Sequence, residues 1–416
     1  MEIMVTKPKN PKTGSVADFF SNSTPPPHGE PVDPGILLAD LIHEIQKYIV
    51  LSDEAALAVA LWAILTWCYD CFHRCPLCIV DAPERACGKS QLLKIVGMLA
   101  FRPFETANIK VAGLFRMVAE YRPCLMVDEC DVLLNYKSDP EMMGLFNNGF
   151  DKGGSVVRME ADKTGKWEIR AFPVYGPKLL AGISLDRHLS DAVLSRGIRI
   201  AMKRKEKTDQ VQRLRNADPA VLANLRSRIH RLVQDNKEVL SQGWNQFPEE
   251  LSDRERDGWE PLLAIAHCCG AEWYEKAWKA AVSICAETAP PKSSANQLLE
   301  DVREILGERK KPERCIPSAA LLDALNARSD MDWCNFNRGQ PLTVRQLAKF
   351  LSGYGIKTKT VRMGPHSTPK GYEVRDFDEA FARYLPEKVV DSEDAAPPEP
   401  KEAKPPRKGP PPVPDF

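Results

Sequence analysis

Leu77-Cys-Ile-Val-Asp-Ala-Pro-Glu-Arg-Ala-Cys-Gly-Lys-Ser-Gln-Leu-Leu93 is the stretch on which the fold turns. A short apolar run enters a turn, then Gly88-Lys89-Ser90, then an amphipathic helical pattern. Strand, loop and helix in that order are the context a phosphate-binding loop requires. Backbone N–H groups of such a loop, with the N-terminus of the helix behind it, make an anion site. Glu84, Arg85, Ala86, Cys87, Gly88, Lys89, Ser90 and Gln91 are therefore the expected nucleotide contacts. Lys89 is placed to reach the β and γ phosphates of ATP, and the Ser90 hydroxyl to ligate Mg²⁺. Pro83 stands where the usual motif has its first glycine; its fixed φ is another way to hold a tight turn.

Downstream, Pro123-Cys-Leu-Met-Val-Asp128-Glu129-Cys-Asp131 is an apolar strand ending in carboxylates. Asp128 is expected to hold Mg²⁺ through water, and Glu129 to orient and polarise an attacking water. Asp131 reads as a helix-cap or surface acid. A third strand is expected over Pro177–Ser184. In AAA+ ATPases the strand beside the acidic one ends in a polar residue that touches the γ-phosphate. Ser184 and Asn147 compete for that role, and a turn or helix cap is the alternative for each. At the step from helix to strand in Leu189–Ile200 stands Arg196. In ring ATPases such an arginine enters the neighbouring subunit's site, which implies a homo-oligomer. Arg199 is the second choice, and a locally paired surface arginine the alternative.

Working outward, the 416 residues suggest two or three domains. Hydrophobic residues make up 43% and charged residues 27%, with 57 basic and 57 acidic side chains. Zero net charge excludes a basic sheath for nucleic acid, though not a local patch. Residues 1–34 are polar and proline-broken and read as a disordered arm, as does the proline-rich tail 386–416. Between them we expect an α/β P-loop core over 35–204 with a parallel sheet, a helical lid over 205–290, and a small α+β winged-helix-like domain over 293–385. The helical block includes the charged run Val221–Lys237 and the apolar-periodic run Trp259–Cys285. The longest apolar run, Ala55–Trp67, is about 13 residues where a membrane span needs ~20, so it reads as a buried core helix. No secretory signal pattern opens the chain, and the 12 scattered cysteines fit reduced thiols in a cytoplasm.

Residues 36–385 resemble a family of phage, plasmid and actinobacterial proteins catalogued as domain-of-unknown-function family 3631. The resemblance rests on Asp81–Ser90, Thr106-Ala-Asn108-Ile, Leu114-Phe-Arg116, Leu125–Glu129, Gly176–Ile183, Asp253-Arg254, Asp257–Ala266 and Gly339–Ala348. Its members look like AAA+ P-loop ATPases and often occur with primase domains. The resemblance implies ATP and Mg²⁺ as cofactors and a primase as a possible partner. It also makes Arg254 a phosphate-sensing arginine of the lid; an arginine paired with Asp253 or Asp257 is the alternative.

Two regions are candidates for DNA contact. Gly154–Arg170 holds two alternating runs around Asp162-Lys163-Thr164-Gly165, a hairpin signal. In viral superfamily III helicases a hairpin in this place grips DNA in the ring pore. Lys163 and Lys166 are at the tip, with Trp167 able to stack on a base. In the C-terminal block, expected helices run over Gln297–Leu306, Ser318–Asn326, Val344–Gly353 and Asp378–Tyr384, and expected strands over Lys357–Met363 and Gly371–Arg375. Arg345 and Lys349 would face a groove and Lys357, Lys359, Arg362 and Lys370 would line a wing. Residues 291–385 carry 16 basic and 12 acidic side chains, an excess of +4 that suits phosphate contacts rather than base readout. A protein-interaction module is the other possibility. Cys68, Cys71, Cys75 and Cys78 have ligand-like spacing, but the three-residue gap between the pairs is too short for a zinc knuckle. They read as small buried hydrophobes. The function expected is an ATP-hydrolysing AAA+ motor or initiator acting on DNA in a mobile element. An ATPase switch remodelling a protein partner, or serving in defence, is the alternative.

Overall fold

A computed structural model describes residues 20, 24–106, 111–133, 140–161, 165–288, 294–309, 314–328, 332–337, 339–363 and 367–385. The chain divides into two compact units, Met1–Ala289 and Pro290–Phe416. The first opens with α1 (Pro34–Gln46) and α2 (Asp53–Cys68). There follow β1 (Leu77–Ala82), α3 (Lys89–Leu99), β2 (Pro103–Thr106), α4 (Val111–Tyr121), β3 (Cys124–Val127), α5 (Cys130–Leu133) and α6 (Pro140–Asn148). A hairpin of β4 (Ser155–Ala161) and β5 (Trp167–Pro173) precedes β6 (Lys178–Ile183), α7 (Asp191–Leu194) and β7 (Gly197–Ala201). Then come α8 (Pro219–Leu240), α9 (Asp253–Cys268) and α10 (Ala271–Thr288).

The five core strands pair in parallel in the order β2-β3-β6-β1-β7. This is the expected α/β P-loop core. Successive side chains on a strand point to opposite faces, and a parallel sheet is covered on both. Thus Leu77 and Ile79 enter one buried cluster with α4 and α6, while Cys78, Val80 and Ala82 enter another with α1, α2, α3 and α8–α10. The chain leaves β1 for the far edge, returns through β3 and β6, and places β7 on the other side of β1. The strand order therefore reverses at β1, and ligands bind outside the carboxyl ends at such a point.

α2 is apolar all round, and every residue from Ala55 to Cys68 is buried. By composition the stretch Asp53–Cys71 is long enough to cross a membrane, yet 78% of its apolar window lies inside the protein. A helix without a polar face needs partners on all sides; α1, α3, α8, α9 and α10 supply them. Trp62 Nε1 donates to Pro76 O at 2.9 Å and Trp67 Nε1 to Leu99 O at 2.9 Å, which tie the helix to the residue before β1 and to the end of α3. The helical block over 205–290 thus shares one core with the N-terminal helices.

One expectation changes, one helical run divides in two, and one strand carries no signal in the sequence. Residues 24–33 of the arm are ordered along α8: His230 Nδ1 lies 2.9 Å from Pro25 O, Ser227 Oγ donates to Pro26 O at 2.9 Å, and His28 N to Ser227 O at 3.0 Å. Their prolines lack N–H donors, so the docking uses their carbonyls. The run Trp259–Cys285 is two helices, broken at Gly270 with φ 115°. β2 carries no periodicity of its own and exists by pairing with β3. Residues 386–416 of the tail lie outside the described residues.

In the second unit α11 (Ser294–Gly307), β8 (Cys315–Pro317), α12 (Ser318–Ala327), α13 (Val344–Gly353), β9 (Lys359–Thr360), β10 (Lys370–Glu373) and α14 (Asp378–Tyr384) follow in order. β10 pairs antiparallel with both β8 and β9. β8 was not expected, because three residues carry no pattern. The strand expected over Lys357–Met363 contracts to two residues. α13 starts at a capping box, with Thr343 and Gln346 exchanging hydrogen bonds.

Candidate functional site

At the carboxyl end of β1 the chain turns through Pro83–Cys87 and enters α3 at Lys89. Gly88 caps that helix at φ 88°, and a Cβ there would meet Ile49 Cδ1 at 2.4 Å. Its positive φ favours glycine. Lys89 Nζ donates to Glu84 O at 3.0 Å, so the ammonium already lies over the loop. Glu84, Arg85, Ala86 and Ser90 are exposed, Lys89 and Gln91 half-buried, and Cys87 buried with its thiol towards Arg85 O.

β6 separates β1 from β3, and adjacent strands lie ~4.8 Å apart, so the β1 and β3 tips are about 10 Å apart. At the β3 tip Asp128 is half-buried and Glu129 exposed. Glu129 N donates to Asp128 Oδ1 at 2.9 Å, which fixes the carboxylate beside the strand end. At the β6 tip Ser184 N donates to Ala82 O at 3.0 Å. Ser184 therefore sits between the loop and the carboxylates. Ala86, Glu129 and Ser184 have φ of 64°, 53° and 48°. Left-handed backbone at non-glycine residues is uncommon and gathers at functional sites.

Two further carboxylates brace this end. Asp131 is neither cap nor surface acid: its Oδ1 accepts the Ile183 N–H at 3.0 Å. Gly182 leaves room for it, since a Cβ there would come within 2.9 Å of Asp131 Oδ1. Asp81 accepts the Leu185 N–H at 3.0 Å and pairs with Arg199 at 3.7 Å. Burial raises the Asp81 carboxyl above its usual range, against that backbone bond and that arginine. Arg199 is thus an internal partner within β7. Ser90 and Asp128 offer only oxygen donors, the set a hard cation such as Mg²⁺ takes together with phosphate oxygens. Among the described residues no group of three or more His, Cys, Asp or Glu is placed to hold a metal ion by itself.

Beside the loop opens a cavity of about 630 Å³. Tyr48, Ile49, Cys87, Gly88, Gln91 and Leu214 line it, with Lys94 and Lys203 at the rim. Gln212 N donates to Lys47 O at 2.7 Å and so closes one wall. Sequence reasoning missed Tyr48, Ile49, Gln212 and Leu214. They come from separate segments and share no spacing with the loop motif.

Asn147, Arg196 and Arg254 are not brought to this loop. Leu77 N donates to Arg196 O at 3.0 Å, which puts Arg196 at the amino end of β1. Six strand residues separate the two ends, roughly 20 Å. Asn147 Oδ1 accepts from Arg196 Nη1 at 3.3 Å, and Arg254 Nη1 donates to Ser195 Oγ at 3.2 Å. For Asn147 and Arg254 this corrects the expectation of contact with the chain's own nucleotide: the strand length puts them out of reach. Of the two candidates for the γ-phosphate, only Ser184 lies at the loop.

Of the hairpin tip, Lys163 lies outside the described residues. Lys166 and Trp167 are exposed. β4 and β5 pair Met159 with Ile169 and Ala161 with Trp167. Val157, Met159, Trp167 and Ile169 therefore share one face, and they are 55%, 57%, 65% and 74% exposed. The other face packs on α4 through Phe172 against Phe115 and through the Arg116–Glu160 ion pair. In the second unit Arg345, Lys349, Lys357, Arg362 and Lys370 are exposed, whereas Lys359 is tied to Asp376 at 2.7 Å. Cys68, Cys75 and Cys78 are buried, and burial pushes Cys75 and Cys78 up to about 12.

Residues 201–384 match the family described as "Protein of unknown function (DUF3631)". The match begins at the end of β7, so the loop and the carboxylates precede it. An uncharacterized 28.9 kDa protein in the xis 5' region of Saccharopolyspora erythraea is 30% identical over 155 residues, 37% of this chain. The chain spans 57% of that relative's length. Among solved structures, the A-form apo C-terminal region of NrS-1 superposes with a TM-score of 0.41 at 11% identity, covering 84% of this chain and 77% of that one. The active helicase Cch of SCCmec type IV gives 0.35 at 11% identity, covering 86% and 69%.

Proposed function

From a chain whose residues 201–384 belong to the family Protein of unknown function (DUF3631), we propose an ATP-binding and ATP-hydrolysing enzyme that acts on DNA. One arrangement carries this reading: the left-handed loop ending at Gly88-Lys89-Ser90 faces Asp128-Glu129 across a single strand that ends in Ser184. The loop N–H groups and the start of α3 receive phosphates. Lys89 leaves the Glu84 carbonyl for the β and γ phosphates. Ser90 and, through water, Asp128 would hold Mg²⁺, which would neutralise phosphate charge. The cavity bounded by Tyr48, Ile49 and Leu214 takes the nucleoside.

Glu129 positions a water and takes one of its protons. The water oxygen bonds to the γ-phosphorus as the bridging P–O bond breaks, its electron pair staying on ADP. Inorganic phosphate leaves. Ser184 contacts the γ-phosphate, and Arg196 stabilises the developing charge from a neighbouring copy. The chain therefore works as a homo-oligomer. Lys166 and Trp167 on the hairpin, with Arg345, Lys349 and Lys357 of the winged-helix-like unit, contact DNA phosphates and bases. A helicase or initiator of a mobile element, with a primase as partner, is the finer form of this reading.

The test is steady-state ATP hydrolysis by wild type and Glu129→Gln, with and without single-stranded DNA, at one stated salt concentration. DNA-stimulated turnover that is absent in the variant is the expected result. Turnover indifferent to DNA would replace the DNA role with remodelling of a protein. No turnover by wild type would sink the enzyme reading.

A further inference from the structure

The cavity beside the loop extends well past it and carries charge of one sign only. Gly88, Gln91, Lys94 and Met98 line it, three or four residues apart along one face of α3. At 1.5 Å per residue that face runs roughly 15 Å from the loop. The opposite wall is the segment after β7, where Leu214 is buried and its neighbours Arg213 and Arg215 are exposed at the mouth. Lys203 and Lys205 complete the rim, and among the described residues no aspartate or glutamate lines the cavity. Lys203 is held by Glu287 at 3.2 Å. Among the described residues Lys94, Lys205, Arg213 and Arg215 have neither a carboxylate within ion-pair distance nor a side-chain hydrogen bond.

In a chain with 57 basic and 57 acidic side chains, four unpaired cations around one hollow are a local departure from balance. A cleft lined by one sign of charge focuses its field and concentrates anions. On the nucleotide reading, the loop takes the 5′ phosphates, and Tyr48, Ile49 and Leu214 give the nucleoside an apolar seat. Neither part uses the rim. Lys94 lies about 9 Å along α3 from Gly88, so it stands beside the nucleoside rather than the 5′ chain. A seated nucleoside can present an anion there only from its ribose hydroxyls, once one of them is phosphorylated. Arginine forks bind phosphate oxygens in pairs, and lysine binds them as a point charge.

We propose that this cavity is a site for nucleotides carrying a second phosphate on the ribose, at the 2′ or 3′ oxygen, with Lys94, Arg213 and Arg215 as its anion subsite. The inference rests on the nucleotide reading of the loop above and names a ligand class for the same cavity. Such a nucleotide fills the loop and the rim together, and so excludes ATP. A bisphosphate with a single 5′ phosphate has no γ-phosphate to transfer, so it holds the site without turnover.

Displacement of a fluorescent ATP analogue, at one stated salt concentration, tests it. The probes are AMP, adenosine 2′,5′-bisphosphate and adenosine 3′,5′-bisphosphate, against wild type and the double variant Arg213→Ala with Arg215→Ala. With wild type, a bisphosphate is expected to displace the analogue at a roughly tenfold lower concentration than AMP, the worth of one hydrogen bond to a charged group. The isomer with the larger gain assigns the oxygen. In the double variant the ratio between that bisphosphate and AMP should fall towards one. The ratio is taken within one preparation, so a loss of folded protein does not move it. A ratio near one in wild type overturns the inference and leaves the ATPase reading in place. A gain that persists in the double variant overturns it too, since it then reports general attraction of charge. Failure of the analogue and of ATP itself to bind wild type removes the nucleotide reading together with this inference.

Discussion

The two ends of the five-stranded sheet are built on opposite principles. At the carboxyl end the reactive side chains are exposed or half-exposed, and the backbone at Ala86, Gly88, Glu129 and Ser184 is left-handed, as it also is at Arg102 and Arg122 ahead of β2 and β3. At the amino end the groups are pinned. Lys178 is buried, and its Nζ donates to Val174 O at 2.8 Å, Gly176 O at 2.9 Å and Gly149 O at 3.4 Å. The Tyr175 hydroxyl lies 2.7 Å from Tyr69 O and 2.8 Å from Phe72 O. Loops that must admit a ligand keep few partners, whereas strand starts that support them can be fully bonded. Arg196 and Arg254 follow the same rule, held by Ala192 O and Asn147 and by Ser195 Oγ.

Four substitutions sharpen or break this contrast. Replacing Arg196 with alanine should cost the assembled protein about 10³-fold in turnover while leaving nucleotide affinity of the dilute protein intact. Weaker binding of a fluorescent nucleotide by that variant would move Arg196 to its own loop and dissolve the distinction between the ends. Glu129→Gln should cost about 10²- to 10³-fold in kcat with nucleotide binding retained. Wild-type turnover in that variant would deny the exposed carboxylate any part in the reaction.

The third concerns pH. Burial pushes the Lys178 ammonium down to about 8, whereas an unfolded lysine titrates near 10.4. Between those values the unfolded chain binds more protons than the folded one, so this group makes stability rise with pH. The slope it can add is at most about 1.4 kcal/mol per pH unit. From about pH 7.5 to about pH 9.5, the unfolding free energy of wild type relative to Lys178→Met should rise by ~1–2 kcal/mol. A flat difference in urea titrations would mean that the buried amine keeps its ordinary proton affinity. Smallest is Asn147→Ala. Loss of one uncharged acceptor on Arg196 should lower turnover several-fold, on the order of 1 kcal/mol. The same loss in an Arg196→Ala background would show that Asn147 acts by another route.

Much of the first unit was legible because its signals are local. Leu77–Leu93 announces strand, loop and helix in one continuous segment, and Cys124–Val127 ends visibly in carboxylates. β6 was readable from Pro177–Ser184, and α13 from the helical run Val344–Gly353. What was not legible falls into two kinds. Short strands such as Pro103–Thr106 and Cys315–Pro317 have too few residues for a period, and their existence depends on a paired neighbour. Prolines 25 and 26 signal disorder by composition, yet their carbonyls meet α8 side chains about two hundred residues away.

The loop ending at Gly88-Lys89-Ser90 and the paired acids Asp128-Glu129 were legible in the sequence itself, since each is a contiguous motif. Their meeting at one end of the sheet was not. It follows from the strand order β2-β3-β6-β1-β7, which places Ser184 between Lys89 and Asp128. Tertiary structure alone decided that Asn147 and Arg254 stand with Arg196 at the other end, and that Tyr48 and Leu214 share a cavity wall with Gly88. Local propensity acts over a few bonds along the chain. Which distant residues become neighbours is settled by how strands order and helices bury their apolar faces, and no single segment encodes that.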